Sequence, residues 1–338
     1  MTRFRAWVAD WEVGANGKEE APRIVLEQRV LSVDDLPEGE LLVRVAYSDV
    51  NYKDALAVQA DGNVVRSYPL IPGIDFAGIV EASADSRFRP GDPIVVTGFE
   101  TGVARHGGYA EYARVPADQA VPLPLGLTLR EAMIFGTAGF TAALSLFRME
   151  KLGLAPENGP VLVTGATGGV GSIAVSILAT AGYEVHAGTR KGKEHSYLKQ
   201  LGAAEIIAYE QLLSAPDKPL LKQLWAGAID CVGGPGLAHI LSQLKYGGTC
   251  AVSGLTGGTD IHTTVFPFIL RGIQLAGIDS VYCPMEERIE VWKRLGTIWK
   301  PKTLEEVAEY IRPEQLAEAL GKVFTGQGKG RTVVELSS

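Results

Sequence analysis

Apolar residues come in short bursts along the first third of the chain. The runs Leu41-Leu42-Val43-Arg44-Val45, Gly78-Ile79-Val80, Pro93-Ile94-Val95-Val96 and Glu111-Tyr112-Ala113-Arg114-Val115 read as strands, with turn signals such as Pro72-Gly73 and Pro90-Gly91-Asp92 between them. This spacing predicts a compact, barrel-like all-β module up to about Gly126. The pattern changes after Pro124. Leu129 to Arg148 carries an apolar face at helical spacing, interrupted at Gly136-Thr137-Ala138-Gly139. From Gly159 strands alternate with helices. Strands are predicted at Val161–Val163, Glu184–Ala187, Ile206-Ile207, Gly227–Val232, Thr249–Val252 and Ile273–Gly277. Helices are predicted at Gly171–Ala181, His195–Leu201 and Pro235–Leu244. Such alternation implies a parallel sheet with right-handed crossovers. The tail adds helices at Glu287–Ile298 and Pro313–Val323 and a last strand at Thr332–Leu336.

With 338 residues the chain is long enough for two domains with their own cores. Its net charge of -7 and the lack of a dense Lys/Arg cluster exclude a nucleic-acid-binding face. The N-terminus has no signal-peptide pattern. The most apolar stretches are broken short of the ~20 residues a membrane span needs, so no membrane partner is expected. Three scattered cysteines, Cys231, Cys250 and Cys283, fit a reducing cytoplasm and are too few for a four-cysteine zinc lobe.

The sharpest chemical signal is Val163-Thr164-Gly165-Ala166-Thr167-Gly168-Gly169-Val170-Gly171, which follows a strand and opens a helix. A lone glycine motif is weak; strand, loop, helix and second strand at the right spacing make a dinucleotide fingerprint. Ala166 takes the first glycine position. Gly168 takes the second, where a side chain would collide with a pyrophosphate, and Gly171 the third, where helix and strand pack closely. Thr167, Gly169 and Val170 complete the loop, whose N–H groups and helix N-terminus face the phosphates. The second strand ends in Gly188-Thr189-Arg190-Lys191. An NAD site would place a carboxylate there. Thr189, Arg190 and Lys191 instead offer a hydroxyl and two cations to a 2′-phosphate, which predicts NADPH.

Several motifs carry a family resemblance. Asn51-Tyr52-Lys53-Asp54, Ile71–Gly78, Gly136–Ala142 and the Ala-x-x-Gly-Gly-Val-Gly loop resemble the medium-chain dehydrogenase/reductase superfamily, in its zinc-independent, quinone-oxidoreductase-like branch. Leu224–Asp230, Pro267–Arg271 and Gly277–Val281 resemble the acryloyl-CoA reductase subgroup. The resemblance implies an α/β protein in which a doubly wound Rossmann sheet is inserted into a GroES-like β-barrel catalytic domain. The corresponding boundaries are 1–126 for the first part of the catalytic domain, 127–281 for the NADPH-binding domain and 282–338 for the return. Hydride transfer is expected in the cleft between the domains, and a homodimer with edge-to-edge strand pairing is implied.

Zinc-dependent relatives place a Cys early in the barrel and Gly-His-Glu later. Here Asn51 or its neighbours stand near the first position and Gly73-Ile74-Asp75 replaces the second. No histidine pair has ligand spacing, so no metal is expected, and alcohol oxidation loses its Lewis acid. The chemistry implied is reduction of an activated C=C bond, of acryloyl-CoA to propanoyl-CoA. A quinone is the alternative acceptor, and a non-catalytic NADPH-binding sensor or structural protein is the alternative of another class. Asn51, Tyr52 and Asp54 are the catalytic candidates, with Lys53 beside them. Tyr52 either packs the nicotinamide or donates to cofactor or substrate. Leu255, Ile269, Ser280 and Arg331 are further cofactor contacts implied by position. Arg331, Arg271 or Lys53 would meet the phosphates of a CoA thioester.

Overall fold

The structure is a computed structural model that describes residues 2–12, 23–214 and 218–336. The chain forms two compact units. The first comprises 1–137, 281–289 and 308–338; the second comprises 138–280 and 290–307.

The chain opens with a hairpin. Strands β1 (Arg3–Trp11) and β2 (Ile24–Ser32) pair antiparallel from Arg3↔Ser32 to Trp11↔Ile24. Strand β3 (Leu41–Asp49) follows, then the one-turn helix α1 (Tyr52–Leu56), β4 (Asp75–Ser83), β5 (Pro93–Thr97), β6 (Tyr112–Val115) and β7 (Ala120–Pro122). Along β3 the side chains of Leu41, Val43 and Val45 are buried while Leu42 and Arg44 are not, the period-two alternation of a strand with one face on a core. Phe4, Phe76, Ile94 and Val96 fill the same core. Helix α2 (Leu129–Lys151) is broken at Gly136, whose φ of 51° and ψ of -157° are non-helical. By length and composition α2 could cross a membrane, but 89% of its apolar window is buried within the protein.

The second unit is built on alternating elements. They are β8 (Val161–Val163), α3 (Gly169–Thr180), β9 (Val185–Thr189), α4 (His195–Gln200), β10 (Glu205–Ala208), α5 (Tyr209–Leu213), β11 (Trp225–Asp230), α6 (Gly234–Gln243), β12 (Leu244–Val252), α7 (Phe266–Arg271) and β13 (Gln274–Gly277). All six strands pair in parallel, in the order β10-β9-β8-β11-β12-β13. This is the doubly wound arrangement, with the strand order reversing between β8 and β11. Helix α3 is buried over eight successive residues, Gly171 to Leu178. Its run of Gly, Ser and Ala lets the backbone lie close to the sheet.

The chain ends with α8 (Met285–Leu295), β14 (Ala308–Ile311), α9 (Leu316–Phe324) and β15 (Arg331–Glu335). Strand β15 enters the first unit's seven-stranded sheet between β14 and β3, with Val333 opposite Asp49. Residues 290–307, placed by the sequence in the returning segment, cluster with the second unit instead. Aromatic packing accounts for it. The Trp292 ring stacks on Phe140 at 6.1 Å, and the Arg294 guanidinium lies over the rings of Phe147 and Trp299 while pairing with Glu150 at 3.1 Å.

Candidate active site

The glycine loop sits at the C-terminal end of β8 and runs into α3. The left-handed turn is made by Gly165, with φ at +58°, one residue before the fingerprint's first position. Ala166 therefore keeps ordinary geometry and its N–H reaches the Gly188 carbonyl at 3.1 Å. A Cβ on Gly171 would lie 2.7 Å from the Gly165 carbonyl carbon, so this glycine is required by the protein itself. A Cβ on Gly168 would meet nothing closer than the Gly165 carbonyl oxygen at 3.3 Å. The protein therefore crowds position 168 less than position 171. The first-turn N–H groups of α3 have no partners inside the helix, and a helix N-terminus of this kind favours negative charge. Thr167 is buried, and Gly169 and Val170 are half-buried.

At the end of β9 the Thr189 hydroxyl oxygen accepts the Lys191 N–H at 3.0 Å and fixes the turn. Arg190 is exposed, and its guanidinium lies 4.7 Å from the ring centre of Tyr209, which is buried. A guanidinium stacked on a ring keeps its in-plane N–H groups for acceptors. Tyr209 carried no sequence signal because it lies 19 residues on, in α5, and meets Arg190 only through the β9–β10 pairing.

In the first unit, the break in α2 gives the site its shape. A Cβ on Gly136 would overlap the Asp49 carboxylate, so only glycine admits the group that fills this space. Asp49 pairs with Arg331 at 2.6 Å, both fully buried. The Asn51 amide nitrogen donates to Asp49 at 2.6 Å and to Asp75 at 2.8 Å, and its oxygen accepts from Arg331 at 3.2 Å. Asp75 also accepts the N–H of Thr137 at 2.6 Å and its hydroxyl at 2.5 Å. Asp54 caps α1: one oxygen accepts the Asn51 N–H at 2.9 Å and the other the N–H groups of Gly73 and Ile74. Asp49, Asp54 and Asp75 are all buried, and the one guanidinium, Arg331, pairs with Asp49. Burial, then the charge of Asp75, pushes Asp54 up to about 7 against the backbone N–H groups that favour its ionised form. Burial also pushes Asp49 up, with Asp75 adding to it and Arg331 opposing.

This geometry corrects three expectations. Asn51 spends both amide hydrogens and its oxygen within the protein, so it has no donor left for a substrate. Asp54 is enclosed with both oxygens on N–H groups, so it positions α1 rather than moving a proton. Arg331 donates to Asp49, Asn51 and the carbonyls of Val50 and Ile134, and is not a cofactor contact. Arg271 is also occupied, by the carbonyls of Ser242, Leu244 and Leu221. Of the three cations considered for CoA phosphates, Lys53 is the one whose side chain has neither a hydrogen-bond nor an ion-pair partner among the described residues. Tyr52 is the exposed member of its motif, 44% accessible and stacked at 6.5 Å on Phe324 of α9. In the second unit, Leu255 is exposed in the loop after β12, and Ile269 on α7 is 71% accessible. The Thr141 hydroxyl donates to Ser280 at 2.8 Å.

A unit built on a parallel sheet with a glycine loop at its switch point, in a chain that also carries a separate β unit, defines a dinucleotide-dependent oxidoreductase. Residues 37–125 match the alcohol dehydrogenase GroES-like domain family and residues 169–297 the zinc-binding dehydrogenase family. The chain is 52% identical to the putative quinone oxidoreductase YhfP of Bacillus subtilis, over 94% of this chain and 97% of that one. The crystal structure of YhfP with NAD bound superposes with a TM-score of 0.95, covering 99% and 100% of the two chains at 50% identity. Identity to acrylyl-CoA reductase AcuI of Ruegeria pomeroyi is 47%, over 99% and 100% of the two chains. The yhdH oxidoreductase of Salmonella enterica in complex with NADP gives a TM-score of 0.92 at 43% identity, covering 98% and 100%. The chain belongs to the medium-chain dehydrogenase/reductase superfamily, in its quinone-oxidoreductase-like branch.

The zinc in one family's name does not fit these residues. Ile74 is an apolar side chain, and the Asn51 amide is bound by two carboxylates. Asp49 and Asp75 are turned to Arg331, Asn51 and Thr137. Among the described residues no group of three His, Cys, Asp or Glu side chains is placed to hold a metal.

Proposed function

We propose that this protein reduces short 2-enoyl-CoA thioesters with NADPH, acryloyl-CoA to propanoyl-CoA in particular. The observation that carries the reading is full-length similarity to an acrylyl-CoA reductase, joined to a first unit whose buried Asp49, Asn51, Asp75 and Arg331 are bonded to one another. We assign cofactor binding to the second unit and the acceptor's surroundings to the first. The loop 167–171 would hold the pyrophosphate, and Arg190 and Lys191 the 2′-phosphate. A carboxylate at this position would repel a phosphate, and here cations stand.

NADPH supplies a hydride, which goes to the β-carbon while the α-carbon takes a proton and the C=C bond becomes single. Negative charge collects on the thioester oxygen as this happens, and a hydrogen-bond donor there lowers the barrier. With Asn51 and Asp54 committed to structure, Tyr52 is the motif residue left to touch substrate or nicotinamide. Lys53 is the cation we assign to the CoA phosphates.

The test is kcat/KM for acryloyl-CoA beside that for a benzoquinone, each with NADPH. Preference for the thioester is expected; a tenfold preference for the quinone would replace this reading with the one the YhfP name carries. The three cysteines are free thiols, which suits a reducing compartment, and we place the enzyme in the cytoplasm. We further infer a homodimer, because among the described residues β13 leaves one edge of the sheet unpaired and α7, which precedes it, carries exposed apolar side chains.

A further inference from the structure

Two buried side chains span the point where the parallel sheet reverses its strand order. Strands β8 and β11 are neighbours there, with Val163 opposite Ile229. The next residues on each are Thr164 and Asp230, both fully buried. Ligands of doubly wound sheets bind outside the carboxyl ends of the strands at this reversal. Thr164 and Asp230 therefore form the floor of the dinucleotide site, although neither has a role in the chemistry above.

Their bonding ties loops together. The Thr164 hydroxyl donates to Asp230 Oδ1 at 2.5 Å and accepts the Cys231 N–H at 3.0 Å. The other carboxylate oxygen accepts the Gly233 N–H at 2.7 Å. The Asp230 carbonyl accepts the Ser253 N–H at 3.0 Å, and the Val232 carbonyl accepts the Gly257 N–H at 2.7 Å. Three loops are joined in this way: the phosphate loop after β8, the glycine turn after β11, and the loop after β12 that carries Leu255. Close backbone contact reinforces the link, since a Cβ on Gly233 would lie 2.7 Å from the Gly254 carbonyl oxygen. A carboxylate in this enclosed place is costly, and burial pushes its pKa up against the hydroxyl and N–H donors. An apolar pair would fill the space without that cost, but would fix no direction between the loops.

We propose that Thr164 and Asp230 are a positioning pair that sets the phosphate loop and the Leu255 loop at the separation a complete dinucleotide needs. The proposal rests on reading the glycine loop as the NADPH site. It predicts that losing the pair weakens ligands that reach both loops more than ligands that reach one.

The experiment measures Kd for NADPH and for the half-ligand 2′,5′-ADP on wild type, Thr164→Val, Thr164→Ser and Asp230→Asn. Valine keeps the shape of threonine and removes the hydroxyl; serine keeps the hydroxyl. Thr164→Val and Asp230→Asn are expected to weaken NADPH about tenfold, the effect of one charge-assisted hydrogen bond. They should weaken 2′,5′-ADP by less than about threefold, and Thr164→Ser should stay near wild type. Equal weakening of both ligands, or of neither, overturns the proposal, as does a serine variant no better than valine. If Thr164→Val does not fold, Asp230→Asn and Thr164→Ser decide the matter by the same ratio. A wild-type protein that binds neither ligand fails the NADPH reading itself, a different result from a wild type that binds both beside variants that bind equally well.

Discussion

Gly168 and Gly171 have the same side chain and different reasons for it. At 171 a methyl group would press on the Gly165 carbonyl, so Gly171→Ala should cost stability whether or not NADPH is present. At 168 an added Cβ would sit 3.3 Å from the Gly165 carbonyl oxygen, tight but far looser than at 171, so Gly168→Ala should fold with a smaller loss and fail to bind. Thermal unfolding with and without NADPH separates them. Gly171→Ala is expected to lower Tm in both conditions, by about 2–4 °C per kcal/mol for a unit of this size. Gly168→Ala is expected to lower the free Tm by less than Gly171→Ala does and to lose the rise that ligand gives. Equal free-state Tm losses in the two variants would remove the distinction. Arg190 is tested the same way: exposed and held over Tyr209, it should matter to binding and not to folding. Replacing Arg190 and Lys191 together by alanine should raise the NADPH:NADH KM ratio at least tenfold, about 1.4 kcal/mol per tenfold. An unmoved ratio would return the pair to being a solvated turn.

At the scale of elements, α1 is one turn long and could not hold its place by its own hydrogen bonds. It is held by the aspartate network, which draws on β3, β4, the broken α2 and β15. Arg331 is its single cation, and replacing it with alanine leaves the buried Asp49 carboxylate without its ion pair. A loss of about 3–5 kcal/mol is expected. Arg331→Lys should also destabilise, because an ammonium cannot reach the four acceptors the guanidinium meets. A lysine variant with wild-type Tm and a raised KM for NADPH would instead restore Arg331 as a cofactor contact. Asp54 gives the cluster a pH signature. Its pKa is about 7 in the fold against 3.8 as a free group, so the folded state holds a proton that the unfolded state loses first. Its contribution is fully present below about pH 4 and is lost as pH rises to about 7. The stability gap between wild type and Asp54→Asn should therefore narrow over that window; a constant gap would show that the group does not titrate there. Little of this was legible in the sequence. Asn51 and Asp54 stood out as a motif, but their partners Asp75 and Arg331 lie 24 and 280 residues from Asn51. Only the fold shows that the motif's polar atoms are already spent.

At the scale of the molecule, legibility followed periodicity. The alternating strands and helices of the second unit are local patterns, and the sequence placed each strand of its sheet within a few residues. The β1–β2 hairpin was missed because four successive residues of β1, Ala6 to Ala9, are buried, which hides the alternation a strand is read by. The 290–307 segment was misplaced because Trp292 and Arg294 find their partners in α2, a packing no local pattern reports. The sheet also predicts something beyond the single chain. Among the described residues strand β13 pairs with β12 on one side only, and on α7, which precedes it, Phe266, Ile269 and Leu270 stand exposed. An unpaired edge beside apolar side chains is a surface that a second copy can complete, edge to edge, with the two-fold symmetry most homodimers use. Light scattering after gel filtration should give twice the chain mass at micromolar concentration. Leu275→Pro removes an N–H that faces away from β12, since alternate N–H groups along β13 up to Ile278 face it, and Ile269→Glu with Leu270→Glu charges the helix face. Both variants should shift the mass to that of one chain while the far-ultraviolet dichroism stays unchanged. A wild type already at one chain mass would leave β13 as a free edge and remove the dimer.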